Sequence, residues 1–256
     1  MRIIRFIFRI LLLAIWLPII GFITFCLQFG GWDGIRRAAR CGSWWGIGIC
    51  YILGVKIKIH GDKKSFKGGL IISNHVGLLD IPIHAAIFPI RFASRGDLRY
   101  WPIIGWYLRV SRAIWVDRSS RQKSLHIAEQ FKQTMEHGIP LLVYPEGTSS
   151  SGNEGLLPFK STPFEAATQG DFPILPILSF FREVDHNRVV AWYGEMSLIP
   201  HCLRLIGYRR IEVDIYILPV IHPGGKSRKA VAKAAYDLME AEYWKRVPVS
   251  TDGEHS

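Results

Sequence analysis

Cysteine is scarce in this 256-residue chain: Cys26, Cys41, Cys50 and Cys202 are the four, and no two form a C-x-x-C pair. That argues against a cysteine zinc site and for reduced, structural thiols in a reducing compartment. Acidic residues are few beside basic ones, 21 against 32, which leaves a formal charge of +11. Such an excess calls for an anionic partner. The basic residues are dispersed, however, with no clustered arm and no nucleic-acid module, so nucleic acid is not the expected partner. There is no internal repeat and no low-complexity segment. Charge is missing altogether from residues 10–29, a length that matches a bilayer core. No small-x-small site follows that run, and the Phe25 before Cys26 is too large for lipoprotein processing, so a cleaved signal is disfavoured.

What is present fits a membrane surface. Nearly half the residues are apolar, high for a soluble enzyme and low for a polytopic transporter, and nine Trp and fourteen Phe accompany the positive charge. The opening stretch carries Arg2, Arg5 and Arg9, then the uncharged run with Pro18 in its middle. A second basic cluster (Arg36, Arg37, Arg40) precedes "CGSWWGIGICYILGV", which is short and Gly-rich for a span. Basic residues on both sides leave the orientation rule undecided. Two pictures fit: one true span, or a helical hairpin dipping into one leaflet. Two ordinary core helices are the bland alternative.

From Val55 onward, β-rich runs alternate with helical patterns. "VKIKIH", "GLIIS", "IRFAS", "RAIWV", "IPLLVYPE", "FPILPILSF", "RVVAWYG" and "RIEVDIYILPV" read as strands. Ser119 and Gln122 have capping-box spacing ahead of Leu125, Ala128, Phe131 and Met135, and Val231, Ala234, Leu238 and Ala241 repeat the helical period. Apolar strands alternating with helices predict an α/β domain with a mostly parallel sheet flanked by helices. Residues 1–54 are read as a membrane-anchoring helical segment, 55–246 as the catalytic domain and 247–256 as a disordered tail.

Two segments carry the candidate chemistry. "LIISNHVGLLD" ends a buried run in Asn74 and His75, with Asp80 five residues after the histidine. In a parallel sheet, sites form beyond the carboxyl ends of strands. A loop leading into a helix at Asp80 and Pro82 can bring one imidazole nitrogen to the carboxylate and leave the other free to accept a proton. Asp80 as a plain helix cap, with His75 an ordinary loop residue, fits the spacing equally well. In "YPEGTSSSGNEGLLPFK", a strand breaks at Pro145 and Glu146, Gly147 and Thr148 follow. Asn153 and Glu154 stand where a phosphate-binding P-loop needs Lys and Ser or Thr, which excludes nucleotide binding there. Ser151 occupies the second Gly of a G-x-S-x-G elbow, which weighs against a serine hydrolase.

Together these segments resemble the phospholipid/glycerol acyltransferases, including the 1-acylglycerol-3-phosphate O-acyltransferases. The family's H-x-x-x-x-D block matches His75 and Asp80, and its E-G-T block matches Glu146, Gly147 and Thr148. "RYWPIIGWYLRVSRAIWVDR" supplies Pro102, Gly105 and Arg118 for the intermediate block; Lys160 in "LPFK" and the "LPI" of residues 175–177 complete the likeness, which spans about residues 55–220. Two positions depart from the pattern: Ser149 stands where Arg often follows E-G-T, and Arg112 replaces a Gly. Both fall where the family holds the acceptor's phosphate, which opens the door to a lyso-aminolipid such as lyso-ornithine lipid.

The resemblance implies a glycerolipid-acyltransferase-like fold and transfer of a fatty acyl group from a thioester, acyl-CoA or acyl carrier protein, to the hydroxyl of a lyso-lipid, 1-acylglycerol-3-phosphate first. His75 is then the base and Asp80 its orienting partner. Arg118 and Lys160, with Arg95 behind them, bind the anionic head group, and Glu146 positions the acceptor or pairs with Arg118. The expected partners are membrane lipid, donor and acceptor. No cofactor is expected beyond the donor substrate, and no metal, although His84 lies nine residues after His75. The expected location is the cytoplasmic face of the inner or plasma membrane. A lipid hydrolase or transacylase using the same base, and a non-catalytic lipid-binding protein, are the competing classes.

Overall fold

A computed structural model describes residues 2–64, 66–117, 120–182 and 189–246. Arg118, Ser119 and the stretch 247–256 lie outside the described residues.

The uncharged run forms helix α1 (Arg2–Leu27) with Pro18 inside it. Gly30 and Gly31, both at positive φ, let the chain reverse into α2 (Gly31–Leu53). Helix α2 is longer than the short apolar piece expected and includes the Arg36, Arg37 and Arg40 cluster that precedes it. The reason is a buried stripe, Ile35, Ala38, Cys41, Gly42, Gly46 and Cys50, recurring at helical spacing. Its arginines satisfy backbone carbonyls. Arg37 donates to Leu27 O and Phe29 O at the end of α1 (3.1 and 2.6 Å), and Arg36 to His137 O at 2.7 Å.

Beyond them run β1 (Val55–His60), β2 (Leu70–Ser73), α3 (Asp80–Ile87), β3 (Arg91–Arg95), a 3₁₀ turn (Gly96–Tyr100), α4 (Pro102–Val110) and β4 (Ile114–Val116). Then come α5 (Arg121–Glu136), β5 (Leu141–Val143), a 3₁₀ turn (Thr162–Phe164), α6 (Glu165–Gln169), β6 (Ile174–Phe181), α7 (Leu198–Gly207), β7 (Ile211–Ile217) and α8 (Arg228–Trp244). The seven strands form one sheet in the order β1-β7-β6-β2-β5-β3-β4. Pairing is parallel from β6 through β2, β5 and β3 to β4, as the apolar strand runs predict. The β6–β7 pair is antiparallel, and β1 follows β7, so one edge runs against the rest. Antiparallel neighbours need no crossover helix, so the apolar character of the run does not fix a strand's direction.

Strand residues alternate between two cores. Ile71, Leu142, Leu175, Ile177 and Ile215 pack on the face carrying α1 to α4 and α7. Leu70, Ile72, Leu141, Ile174 and Leu178 pack on the face carrying α5, α6 and α8. Three expectations shift. Residues 189–193 of "RVVAWYG" are not a strand; they fold as a strap over the β2–α3 loop. The N-cap of α5 is Ser120, whose Oγ accepts from Lys123 N, rather than Ser119. The buried row of α8 is Val231, Ala235, Met239 and Tyr243, with Ala234 exposed.

Candidate active site

β2 runs through the middle of the sheet, and its last residue, Ser73, hands the chain to a loop at the carboxyl edge. His75 sits in that loop and Asp80 opens α3. The carboxylate turns back into the loop rather than capping the helix. Asp80 Oδ2 accepts from Val76 N (2.6 Å), Gly77 N (2.9 Å) and His75 Nδ1 (2.9 Å). An ionised carboxylate only accepts, so Nδ1 carries the proton and Nε2 keeps its lone pair. Asp80 is fully buried, whereas His75 is partly exposed at the cavity wall.

Two segments hold the loop, the stretch after β5 and the strap. Glu146 Oε1 accepts from His75 N at 2.9 Å, Ser150 N donates to His75 O at 2.9 Å, and Trp192 N donates to Val76 O at 2.9 Å. The imidazole lies flat on the Tyr144 ring, centroids 4.0 Å apart and planes 12° from parallel. Asn74 points away, into β6, where its amide exchanges two hydrogen bonds with the Ser179 backbone (3.1 and 2.8 Å). His84, weighed with His75 and Asp80 as a metal ligand, turns inward to Tyr144, Ser179 and Ser73. Among the described residues no group of three His, Cys, Asp or Glu side chains has metal-binding geometry.

Glu146 is buried, and burial pushes its carboxyl up to about 7 against the pull of the N–H donors of His75 and Leu157. The sign follows from linkage. A carboxyl whose folded value exceeds its unfolded one binds more protons when folded, so its contribution is fully present below about pH 4.5 and is lost as pH rises through 7. Relative to Glu146→Gln, wild-type protein is expected to lose stability between pH 5 and pH 7.5, by up to about 3 kcal/mol. Thermal melts of both proteins across that range check this; parallel curves would refute it.

Gly147 has φ +77°, a left-handed conformation that favours glycine, and a Cβ there would stand 2.5 Å from Lys160 Nζ, so that flexible side chain would have to move aside. Lys160 thus reaches across the E-G-T turn but is not itself among the residues lining the cavity. Thr148 lines the cavity. Arg95 also lines it, but its guanidinium is exposed and paired with Asp97 (3.1 and 2.8 Å). Ser149 donates its hydroxyl to Trp192 O, fastening the E-G-T turn to the strap. Tyr144 and Trp192 are not singled out by the sequence, and His84 is weighed there only as a metal ligand. For Tyr144 a signal existed: it is two residues after Leu142, on the same face of β5.

His75 opens on a cavity of ≈1390 Å³, larger than the roughly 300–1,000 Å³ of a common small-molecule pocket. Its walls draw on both cores. Leu13, Trp45 and Leu79 belong to the α1–α4 side, and Ile127, Phe131 and Ala166 to the α5–α6 side, so it wraps around the strand ends. The lining is overwhelmingly apolar, with His75 and Arg95 among its few polar groups.

The chain is similar to known proteins in sequence and in fold. A model of the acyltransferase family matches residues 56–179. The chain is 27% identical to the lyso-ornithine lipid O-acyltransferase of Pseudomonas aeruginosa, over 89% of this chain and 88% of that protein. It is 27% identical to the protein of the same name from Rhizobium meliloti, over 65% of this chain but only 61% of that one. The crystal structure of the 1-acyl-sn-glycerophosphate acyltransferase of Thermotoga maritima superposes with a TM-score of 0.67 at 19% identity, covering 96% and 97% of the two chains, a likeness of fold. Residues 56–179 thus match the acyltransferase family, and the relatives and the solved structure to which the chain is similar are acyltransferases.

Proposed function

We propose that this protein transfers a fatty acyl group from an acyl thioester to the hydroxyl of a lyso-lipid, with His75 as general base. The observation that carries the reading is the His75–Asp80 pair: Nδ1 is engaged by the carboxylate, and the imidazole lines a large apolar cavity. The acceptor hydroxyl gives its proton to Nε2 as its oxygen attacks the thioester carbon. The tetrahedral intermediate collapses with loss of the C–S bond, and the imidazolium returns the proton to the departing thiolate. Asp80 holds the tautomer and balances the imidazolium. Lys160 and Arg95, with Arg118, receive the anionic head group.

The acceptor's identity turns on the head group. The resemblance puts 1-acylglycerol-3-phosphate first. Two observations favour a lyso-ornithine lipid instead: the hydroxyl of Ser149, in the place of the family's arginine, is engaged with Trp192 O, and the Pseudomonas relative spans most of the chain. Ornithine presents one carboxylate and one ammonium, which asks for fewer cations than a phosphate.

The N-terminal pair supports membrane attachment. Helix α1 is long and apolar enough to cross a bilayer. One side of it is docked on the domain: Arg9 donates to the carbonyls of Ile206, Tyr208 and Arg209 at the end of α7, and Arg5 to Gly207 O at 3.0 Å. The other side exposes Ile4, Phe8, Leu11, Ile15, Ile19 and Phe22 at helical spacing, beside Trp44, Ile47 and Tyr51 of α2. A helix docked along its length with an apolar outer stripe suits a hairpin seated in one leaflet, and we propose that placement.

The test is to incubate purified protein in mixed micelles with a labelled acyl thioester and a panel of lyso-lipids, and to identify products by mass. Acyl transfer that requires the acceptor supports the reading, and the preferred lyso-lipid names the head group. Release of free fatty acid without acceptor would mark a hydrolase instead.

A further inference from the structure

Beneath the His75 imidazole is a buried polar group that the proton transfer does not use. Burial pushes the His84 imidazole down to about 4, so it is neutral at physiological pH. Its Nδ1 is 3.0 Å from Tyr144 Oη, and its Nε2 is 3.1 Å from Ser179 Oγ and 3.3 Å from Ser73 Oγ. A neutral imidazole offers one donor and one acceptor, and hydroxyl groups on both sides match either tautomer. The Tyr144 phenol is held well above its usual range by burial and by the neighbouring Asp80, so it keeps its proton and stays a hydrogen-bonding partner. Four elements meet here: the end of β2 (Ser73), α3 (His84), the end of β5 (Tyr144) and β6 (Ser179). An apolar residue at 84 would fill this space without the cost of satisfying two ring nitrogens in the interior.

The opposite face of Tyr144 explains the arrangement. A carboxylate fixes an imidazole only along its edge: the ring can still tilt about the Nδ1–H···Oδ2 line and carry Nε2 out of reach of a substrate. Tyr144 supplies a flat surface 4.0 Å from the ring centroid, 12° from parallel, which blocks that tilt. The Tyr144 ring is itself held by its hydroxyl on His84, which α3 carries one helical turn after Asp80. Edge and face restraints on His75 thus come from the same helix.

We infer that Tyr144, braced by His84, is a positioning residue that fixes the plane of the His75 imidazole so that Nε2 faces the cavity. This rests on the proposed role of His75 as base. Neither Tyr144 nor His84 touches the reacting atoms in this scheme, so their loss acts on turnover and spares substrate binding.

The test compares Tyr144→Phe and Tyr144→Leu in the full chain, with His75→Ala assayed in parallel. Tyr144→Phe keeps the stacking surface and loses one hydrogen bond, and kcat is expected to fall only a few-fold. Tyr144→Leu loses the surface, and kcat is expected to fall about 10- to 100-fold, with KM for donor and acceptor within about twofold of wild type. Equal losses in Phe and Leu variants, or a Leu variant that raises KM and leaves kcat alone, would overturn the inference. A measurement on wild-type protein guards against a Leu variant that does not fold. The imidazole proton resonances of His75, assigned by their absence in His75→Ala, are expected upfield of ordinary histidine from the Tyr144 ring current; resonances at ordinary positions would overturn the stacking. If His75→Ala keeps full turnover, the base assignment falls while the ring-current result still stands. Loss in His75→Ala with none in Tyr144→Leu removes the positioning role alone.

Discussion

His75→Ala is expected to lower kcat about 10²–10⁴-fold, the range that a positioned general base contributes. The size follows from the difficulty of the step. An alkyl hydroxyl holds its proton at neutral pH, so attack on the thioester carbon needs an acceptor within hydrogen-bond reach. Nε2 is the His75 nitrogen not bonded to Asp80, on a side chain that lines the cavity. The side chain is partly exposed and packs on Tyr144 on one side, so its truncation disturbs little of the core. Melting temperature is therefore expected to change little, and KM for both substrates to change less than kcat. Steady-state kinetics with the acceptor found in the lyso-lipid panel check this. Turnover within a few-fold of wild type would show that another group takes the proton.

Asp80→Asn is expected to cost a similar factor in kcat, and Asp80→Ala to cost stability as well. Asp80 Oδ2 is the shared acceptor for three donors, two of them the backbone N–H groups of Val76 and Gly77. Asparagine can present its carbonyl oxygen to those donors and keep the loop in place, but it carries no charge to balance an imidazolium. Alanine leaves the buried N–H groups without an acceptor, a penalty of about 1–3 kcal/mol for each. The two substitutions therefore separate the roles. Asn is expected to fold near wild type and turn over slowly, and Ala to melt lower as well as turn over slowly. Circular dichroism melts beside kinetics distinguish them. Full turnover in Asp80→Asn would limit the carboxylate to a structural role.

The comparison of Asp80 with Ser120 shows how far local sequence reaches. Asp80 is expected near a helix start and is one; for α5 the sequence points to Ser119, one residue before the Ser120 that caps it. Ser120 caps α5 through the ordinary bond to a backbone N–H three residues on. Asp80 bonds backward into its loop, because His75, Val76 and Gly77 already surround it. Spacing alone cannot distinguish a carboxylate that caps forward from one that orients a ring behind it. The "RVVAWYG" run makes the same point for strands. Val190 and Ala191 are buried as a core strand's residues are, yet the backbone beside them bonds to the β2–α3 loop instead of a sheet ladder.

The sequence by itself determined the alternation of strands and helices, the apolar N-terminal helix, and the His75–Asp80 and Glu146–Thr148 blocks at strand ends. These are local patterns, set by apolar periodicity and by the reach of a side chain over a few residues. The tertiary structure alone decided the direction of β7, the burial that lifts Glu146 toward neutrality, the strap that fastens Ser149, and the stack of His75 on Tyr144. Each of these depends on segments brought together from distant parts of the chain, and on exclusion of water between them, and neither is written in the order of neighbouring residues.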